Sequence, residues 1–256
     1  MDSGDPELRM LFPDARSTTV EGALDELEAP ERTERPRVLL NMIASADGKA
    51  TFGGRTAALG NAADRALFHG LRGRVDAVLV GAGTVRAERY GPMVREQDRR
   101  QRRIERGLEE QPLACVVSAT LELAPDLPLL ADSSSRVVMI TPSDAELAPC
   151  AARVEYVRAE TGGRLDMTGA VRELSARYGV RTVVCEGGPN LNSQLLADEV
   201  LDELFLSIAP RVAGGGESLT IVAGRPLERL AELRLRWLLE AEGFLFARYS
   251  VCPDGG

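Results

Sequence analysis

Short apolar runs alternate along the chain with stretches that have helical periodicity. Several of the runs are almost continuous Val, Leu and Ile, which is typical of strands covered on both faces. Strands are predicted at 38–42, 75–81, 113–118, 136–141, 154–158, 180–186 and 203–212. Helices are predicted between them at 61–72, 166–179 and 190–199. This alternation predicts right-handed crossovers and an α/β fold with a mostly parallel central sheet flanked by helices.

The two ends of the chain depart from this pattern. Residues 233–239 alternate, Glu242-Gly243 forms a turn signal, and 244–251 follow, so an antiparallel C-terminal hairpin is expected at the sheet edge. Residues 1–36 are acidic and contain prolines, which predicts an N-terminal arm or linker ahead of a main domain at 37–252. Within the main domain, the charge-rich stretch 95–111 is expected to be a solvated helix or a loop.

Charge and composition narrow the classes of function. The net charge is -8 and the pI about 5.0, which argues against a general nucleic-acid binder. No apolar run approaches the ~20 residues that span a bilayer. The four cysteines form no C-x-x-C pair, and no His/Cys/Asp cluster has ligand spacing, so no metal site is expected. A cytoplasmic location is expected from the cysteine pattern.

Candidate chemistry follows three of the predicted strands, where ligands bind in open α/β sheets. The first segment, 41–56, is polar and could be either a ligand loop or a structural turn; it includes Asn41, Ser45, Asp47, Lys49 and Thr56. Lys49 is the single lysine among 31 basic residues, which indicates either a particular role or chance retention.

The other two segments are rich in glycine. Gly81-Ala82-Gly83-Thr84 could hold a pyrophosphate on backbone N–H groups or could simply be a turn. It is not the full G-x-G-x-x-G fingerprint, which disfavours a Rossmann dehydrogenase. At 183–192, a strand delivers Glu186, then Gly187-Gly188, then a helix that begins near Pro189. A buried carboxylate at that point could handle protons.

The order and spacing of five segments resemble the riboflavin-pathway pyrimidine reductase family, over about 37–251. They are N-M-I-A-S-A-D-G-K, H-G-L-R, D-A-V-L-V-G-A-G-T-V, C-E-G-G-P-N-L-N and D-E-L-F-L-S-I-A-P-R-V-A-G-G-G. The resemblance implies a dihydrofolate-reductase-like fold, NADPH as cofactor, a phosphorylated ribosylaminopyrimidine as substrate and a homodimer. No zinc deaminase motif precedes the match, so a stand-alone reductase is expected.

The resemblance also implies roles for individual residues. It places Asp47 and Glu186 on the substrate side, with substrate binding by Asn41, Ser45, Thr56, Arg72 and Arg95. Asp47, Lys49 and Glu186 are the catalytic candidates, because they could order the polar groups of the substrate and relay its proton. Arg72 and Arg95 are the candidates for the substrate phosphate, because a guanidinium fork binds two oxygens. The cofactor is expected near Gly81, Gly83, Thr84, Val85, Ser118, Gly187, Gly188, Asn190 and Leu191. Ser118, Arg136 and Thr141 are the candidates for its 2′-phosphate.

One segment departs from the family pattern. Where the family commonly has D-D-P-x-L-T-x-R, this chain has E-R-Y-G-P-M-V-R, which keeps Glu88 and Arg95. Two alternatives therefore stay open: a reductase of the same fold for another substrate such as dihydrofolate, and a non-catalytic nucleotide-binding regulator. The homodimer is expected to cover strand edges at 203–212 and at the C-terminal hairpin.

Overall fold

An eleven-stranded sheet dominates the computed structural model, which describes residues 6–25, 27, 33–215 and 219–252. The strand order is β2-β1-β12-β13-β11-β3-β10-β4-β5-β6-β7, with β8 and β9 as a separate small hairpin. The bounds are β1 Glu7–Phe12, β2 Arg16–Thr19, β3 Arg37–Ser45, β4 Ala77–Gly81, β5 Leu113–Val117, β6 Arg136–Thr141, β7 Arg153–Arg158, β8 Glu160–Thr161, β9 Arg164–Leu165, β10 Thr182–Cys185, β11 Glu203–Ala209, β12 Leu233–Ala241 and β13 Phe244–Val251.

The half of the sheet from β11 to β7 is entirely parallel. Its inner strands are largely apolar on both faces, and each face packs into its own hydrophobic core. The helices are α1 Val20–Leu24, α2 Ala62–Arg72, α3 Ala82–Glu88, α4 Gln97–Glu105, α5 Pro128–Ala131, α6 Met167–Tyr178 and α7 Pro189–Ala197. The predicted α/β class and mostly parallel sheet are confirmed. None of the described helices is long and apolar enough to cross a lipid bilayer.

Side-chain N-caps define where two of the longer helices begin. The Asn61 side chain accepts a hydrogen bond from the Asp64 N–H at the start of α2, and Asp166 does the same for Gly169 at the start of α6. Helix α6 ends at Gly179 in the left-handed conformation (φ +67°), the usual glycine stop. Helices α2 and α6 therefore begin and end close to where the sequence places them.

The antiparallel half corrects two expectations. The predicted hairpin is present as β12 and β13, but it lies inside the sheet, because β1 pairs with β12 and β2 pairs with β1. The expected arm outside the fold is therefore wrong for residues 7–24. Leu8 and Met10 are buried in the core, and α1 packs on the same side. Residues 1–5, 26 and 28–32 of the expected arm lie outside the described residues.

Within the charge-rich stretch 95–111, helix α4 forms, and one arginine in its last turn is buried. Arg103 is 0% exposed. Its guanidinium donates to the carbonyls of Arg72 and Val75, and its Nε to the carbonyl of Glu109 at 2.9 Å. Burial lowers the pKa of Arg103 to about 10, so the side chain stays cationic at neutral pH. The helix is solvated, as predicted, but Arg103 also fastens it to the end of α2.

Candidate active site

A cleft of about 780 Å³ lies beyond the carboxyl ends of β4, β5 and β10, where the topology predicts a ligand site. Both glycine segments border it. Ten of the predicted site residues line the cleft: Thr56, Gly81, Gly83, Thr84, Ser118, Glu186, Gly187, Gly188, Asn190 and Leu191. The fold therefore brings together most of the predicted cofactor residues, one predicted substrate residue (Thr56) and one predicted catalytic residue (Glu186).

The two glycine loops contact each other. The N–H of Gly81 donates to the carbonyl of Gly187 at 2.9 Å. Gly187 and Gly188 have φ values of +94° and +83°, a region that side chains rarely adopt. A Cβ on Gly187 would also lie 3.2 Å from the Sδ of Met42. The conformation of the second loop thus requires glycine at this pair.

Two helices begin at these loops and border the cleft with their first turns. The N-caps are Gly81 for α3 and Gly188 for α7, and neither end has a side-chain cap. The first N–H groups of a helix have no partner within the helix, and they favour anions such as a pyrophosphate. A Cβ added to Gly83 would meet no atom within 4 Å, so the first turn of α3 leaves open space beside the cleft. This arrangement fits a dinucleotide.

Glu186, which lines the cleft, belongs to a buried ion pair with Arg72. Glu186 follows β10, and its side chain is 2% exposed. Arg72, at the end of α2, donates from Nε and Nη2 to the two carboxylate oxygens, each at 2.6 Å, and from Nη1 to the carbonyl of Met93 at 2.7 Å. The guanidinium lies 4.3 Å from the centroid of the Phe68 ring. Burial lowers the pKa of Arg72 and the Glu186 carboxylate raises it; the net direction is upward.

Two further polar groups tie the β3 loop to helix α3. Thr56 donates to the Glu88 carboxylate from both its N–H (3.2 Å) and its Oγ1 (3.1 Å). Both residues line the cleft. The two hydrogen bonds link the polar segment after β3 to helix α3, which follows the first glycine loop. Two sides of the cleft are therefore joined directly.

Asp47 lies away from the cleft and organises a loop. It accepts hydrogen bonds from Ser45 Oγ (2.5 Å) and from the N–H groups of Ala213 and Gly214 (3.0 and 2.8 Å). These bonds lower the pKa of Asp47 to about 2, Ser45 contributing most. The observed contacts of Asp47 are those of a structural turn, one of the two alternatives for segment 41–56, and its catalytic role stays a prediction.

Asp47→Asn is expected to destabilise the protein at neutral pH and to have less effect in acid. A lowered native pKa contributes stability above the unfolded value of 3.8, and that contribution is lost as the pH falls toward about 2. The difference in Tm between wild type and variant should therefore shrink below about pH 4. Asp126→Asn, at an exposed position, controls for the change in net charge. A difference that is constant from pH 6 to 3 would contradict the assignment.

The remaining predicted residues lie outside the cleft lining. Asn41 is half-buried in β3, Lys49 is half-buried in the following loop, and Arg95 is exposed. The Val85 side chain is 0% exposed in the core, so only its backbone could approach a cofactor.

Two of the three 2′-phosphate candidates do not fit. Arg136 is at the amino end of β6, far along the strand from the cleft, and pairs with Glu155. Thr141 is 0% exposed, and its Oγ1 accepts from the Ser143 N–H. Ser118 is the one that borders the cleft.

Several cleft residues were not predicted as site residues. Arg86 and Arg164 bring positive charge, and Met42 contributes an apolar side chain beside Gly187. Arg86 follows the first glycine loop by only a few residues, so its position in the sequence could have predicted that it lies at the cleft. Arg164 enters from the β8–β9 hairpin, which is too short to be recognised from periodicity. Tyr90, which contacts Glu186, lies in the segment that departs from the family pattern.

The strand order and this cleft place the chain among the α/β reductases with a dihydrofolate-reductase-like fold. Residues 36–240 match the RibD C-terminal domain, and the chain belongs to that family. The sequence is 28% identical, over 77% of this chain and 88% of the relative, to the 2,5-diamino-6-ribosylamino-4(3H)-pyrimidinone 5′-phosphate reductase of Methanothermobacter thermautotrophicus. It is 30% identical, over 74% and 87%, to the protein of the same name from Archaeoglobus fulgidus.

Solved structures share the fold. A pyrimidine reductase-like protein from Corynebacterium diphtheriae is 28% identical and superposes with a TM-score of 0.75, over 93% of this chain and 100% of that one. The riboflavin biosynthesis reductase Rib7 of Saccharomyces cerevisiae, at 17% identity, has a TM-score of 0.67 over 90% and 97% of the two chains. The predicted dihydrofolate-reductase-like fold is confirmed.

Proposed function

We propose that the protein reduces a ribosylaminopyrimidine 5′-phosphate to its ribityl form with NADPH. The observation that carries the proposal is that two glycine loops, two helix N-termini and Glu186 meet in one cleft. The names of the archaeal relatives point to the same substrate class. When bound, NADPH supplies the hydride that reduces C1′ of the opened ribosylamine.

The protein's own groups hold the two reactants together. Backbone N–H groups at Gly83 and Thr84, and at the start of α7, would bind the pyrophosphate. Glu186, whose two carboxylate oxygens accept from Arg72, lines the cleft and would order the polar groups of the substrate. Aligned reactants account for about 7–11 kcal/mol of barrier lowering in favourable cases. No covalent intermediate with the protein is required.

The geometry changes the expectation for the substrate phosphate. Arg72 already donates to Glu186 and to Met93, and its side chain is 8% exposed. We therefore assign Arg72 to orienting Glu186, and Arg95, which is exposed, remains the candidate for the phosphate.

Turnover by the purified protein tests the function. The oxidation of NADPH, followed at the nicotinamide absorbance, should require the ribosylaminopyrimidine phosphate and should not occur with dihydrofolate. Turnover of dihydrofolate alone would favour the other reductase. Binding of NADPH without turnover of any pyrimidine or pterin would favour the regulator.

NADPH is expected to bind more tightly than NADH, because two arginines at the cleft can meet a 2′-phosphate. Arg86 and Arg164 line the cleft together with Ser118 and Thr120. Since hydrogen bonds to a charged group contribute about 1.5–3 kcal/mol, the double variant Arg86→Ala/Arg164→Ala should reduce the Kd preference for NADPH at least about tenfold. The Kd of NADH should change little. Equal binding of both nucleotides by wild type would refute the cofactor assignment.

A homodimer remains part of the proposal, but on a different surface from the one expected. The strand edges expected to be covered are absent among the described residues, because β11 and the hairpin strands each have neighbours on both sides. Instead, one face of β11, β13 and β12 carries half-buried apolar residues that join neither core cluster: Ile208, Leu245, Leu238 and Leu235. Phe12 and Leu233, each 42% exposed, extend that face.

We expect a mass in solution of twice 27.6 kDa at micromolar concentration. Leu238→Asp, on this face, should shift the mass to that of one chain, because an unpaired charge is costly to bury. A monomeric wild type would rule out the dimer.

A further inference from the structure

Tyr90 is fixed by its backbone just beyond helix α3. Arg89, which ends the helix, has φ +47°, and this left-handed turn redirects the chain. The Tyr90 N–H donates to the Val85 carbonyl at 3.1 Å, and the Tyr90 carbonyl accepts from the Leu129 N–H at 2.9 Å. The aromatic side chain therefore leaves a rigid point of the backbone that is directly joined to the cofactor helix.

The Tyr90 hydroxyl completes the surroundings of Glu186. It donates to Oε2 at 2.8 Å, the same oxygen that accepts from Arg72 Nη2. The ring also lies near the guanidinium of Arg72, with 5.3 Å between Cζ and the ring centroid, and Phe68 contacts the same guanidinium. Burial and the neighbouring Glu186 carboxylate raise the pKa of Tyr90 well above its usual value, so the hydroxyl remains a donor at neutral pH.

We propose that Tyr90 is a positioning residue that aims the Glu186 carboxylate at the substrate and couples it to the cofactor helix α3. Glu186 lines the cleft and Tyr90 does not, so Tyr90 acts through Glu186. Two residues earlier, Glu88 holds Thr56 from the same helix end. The segment that departs from the family pattern thus secures two cleft groups. The inference rests on the proposed reductase function.

Tyr90→Phe tests the role, because it removes the hydroxyl and keeps the ring over Arg72. The kcat for the ribosylaminopyrimidine phosphate should fall about tenfold, the size expected for one hydrogen bond to a charged group. The Kd of NADPH should stay within about twofold of wild type, since the cofactor loops are untouched. Tyr156→Phe is the matched control: its hydroxyl accepts from the Leu147 N–H at 2.8 Å, outside the cleft, and its loss should leave kcat unchanged.

A double-mutant cycle shows whether Tyr90 acts through Glu186. In the Glu186→Gln background, Tyr90→Phe should change kcat/KM, and the Kd of the substrate measured by calorimetry, by less than about twofold. A tenfold loss in both backgrounds, or wild-type kcat in Tyr90→Phe, would overturn the proposal. A wild type that reduces no ribosylaminopyrimidine phosphate overturns the proposed function instead. The crystal structure of Tyr90→Phe tests the positioning role independently of turnover. A Glu186 carboxylate that stays in its original place in this variant would refute that role.

Discussion

Glu186→Gln is expected to lower kcat by about 10²–10⁴-fold, the range for loss of a positioned acid or base group. The change removes the charge and keeps the shape of the carboxylate to which Arg72 and Tyr90 both donate. The Kd of NADPH should change far less, because the glycine loops supply the cofactor contacts. Steady-state turnover with the ribosylaminopyrimidine phosphate and a fluorescence titration with NADPH measure the two quantities.

Loss of stability has to be separated from loss of chemistry in this variant. Removing one partner of a buried ion pair costs up to about 3–5 kcal/mol. The chain offers a matched control in Glu203, at the amino end of β11, which binds Arg248 through two hydrogen bonds of 2.8 and 3.2 Å. Both of those side chains are 7% exposed. Glu203→Gln should lower Tm in the same way and leave kcat intact.

Equal losses of activity in the two variants would show that Glu186 serves only the fold. Full activity of Glu186→Gln with the true substrate would have the same meaning. Lys49→Arg adds a milder comparison: Lys49 is half-buried outside the cleft lining, and we expect the arginine to be tolerated because positive charge is kept.

The parallel half of the fold could be predicted because its signals are local. Continuous apolar runs mark β4, β5, β6 and β10, and glycines mark the turns after β4 and β10. The parallel topology then predicts that ligand residues lie at the carboxyl ends of these strands. For this reason the glycine loops of the cleft can be located from the sequence without knowledge of the contacts between them.

The antiparallel half shows what local signals cannot provide. Nothing in residues 7–12 specifies a partner, and the pairing of β1 with β12 joins segments more than 220 residues apart. The role of Arg72 was equally hidden. Its sequence context suits a phosphate ligand, and only the packing of α2 against β10 shows that Glu186 and the Met93 carbonyl already take its donors.

Gly187→Val is expected to raise the Kd of NADPH by at least about 100-fold, equivalent to about 2.7 kcal/mol. At φ +94° a β-branched residue is strained, and its Cβ would lie 3.2 Å from Met42 Sδ. The strain of order 1–3 kcal/mol would displace the loop, and the new side chain would stand where the cofactor pyrophosphate is expected. Calorimetric titration with NADPH measures the loss.

Two companion variants isolate the cause. Gly107→Val introduces a side chain at φ +73° after α4, with no atom within 4 Å, so it reports backbone strain outside the cleft and should leave NADPH binding unchanged. Gly83→Leu does the opposite: its backbone is helical, its Cβ meets nothing within 4 Å, and it faces the cleft. It should keep the wild-type Tm and still block the cofactor. If Gly83→Leu and Gly187→Val both bind NADPH with the wild-type Kd, the pyrophosphate does not lie between these loops. A leucine at position 83 would occupy that space and a valine at position 187 would displace the loop, so either change should weaken binding there.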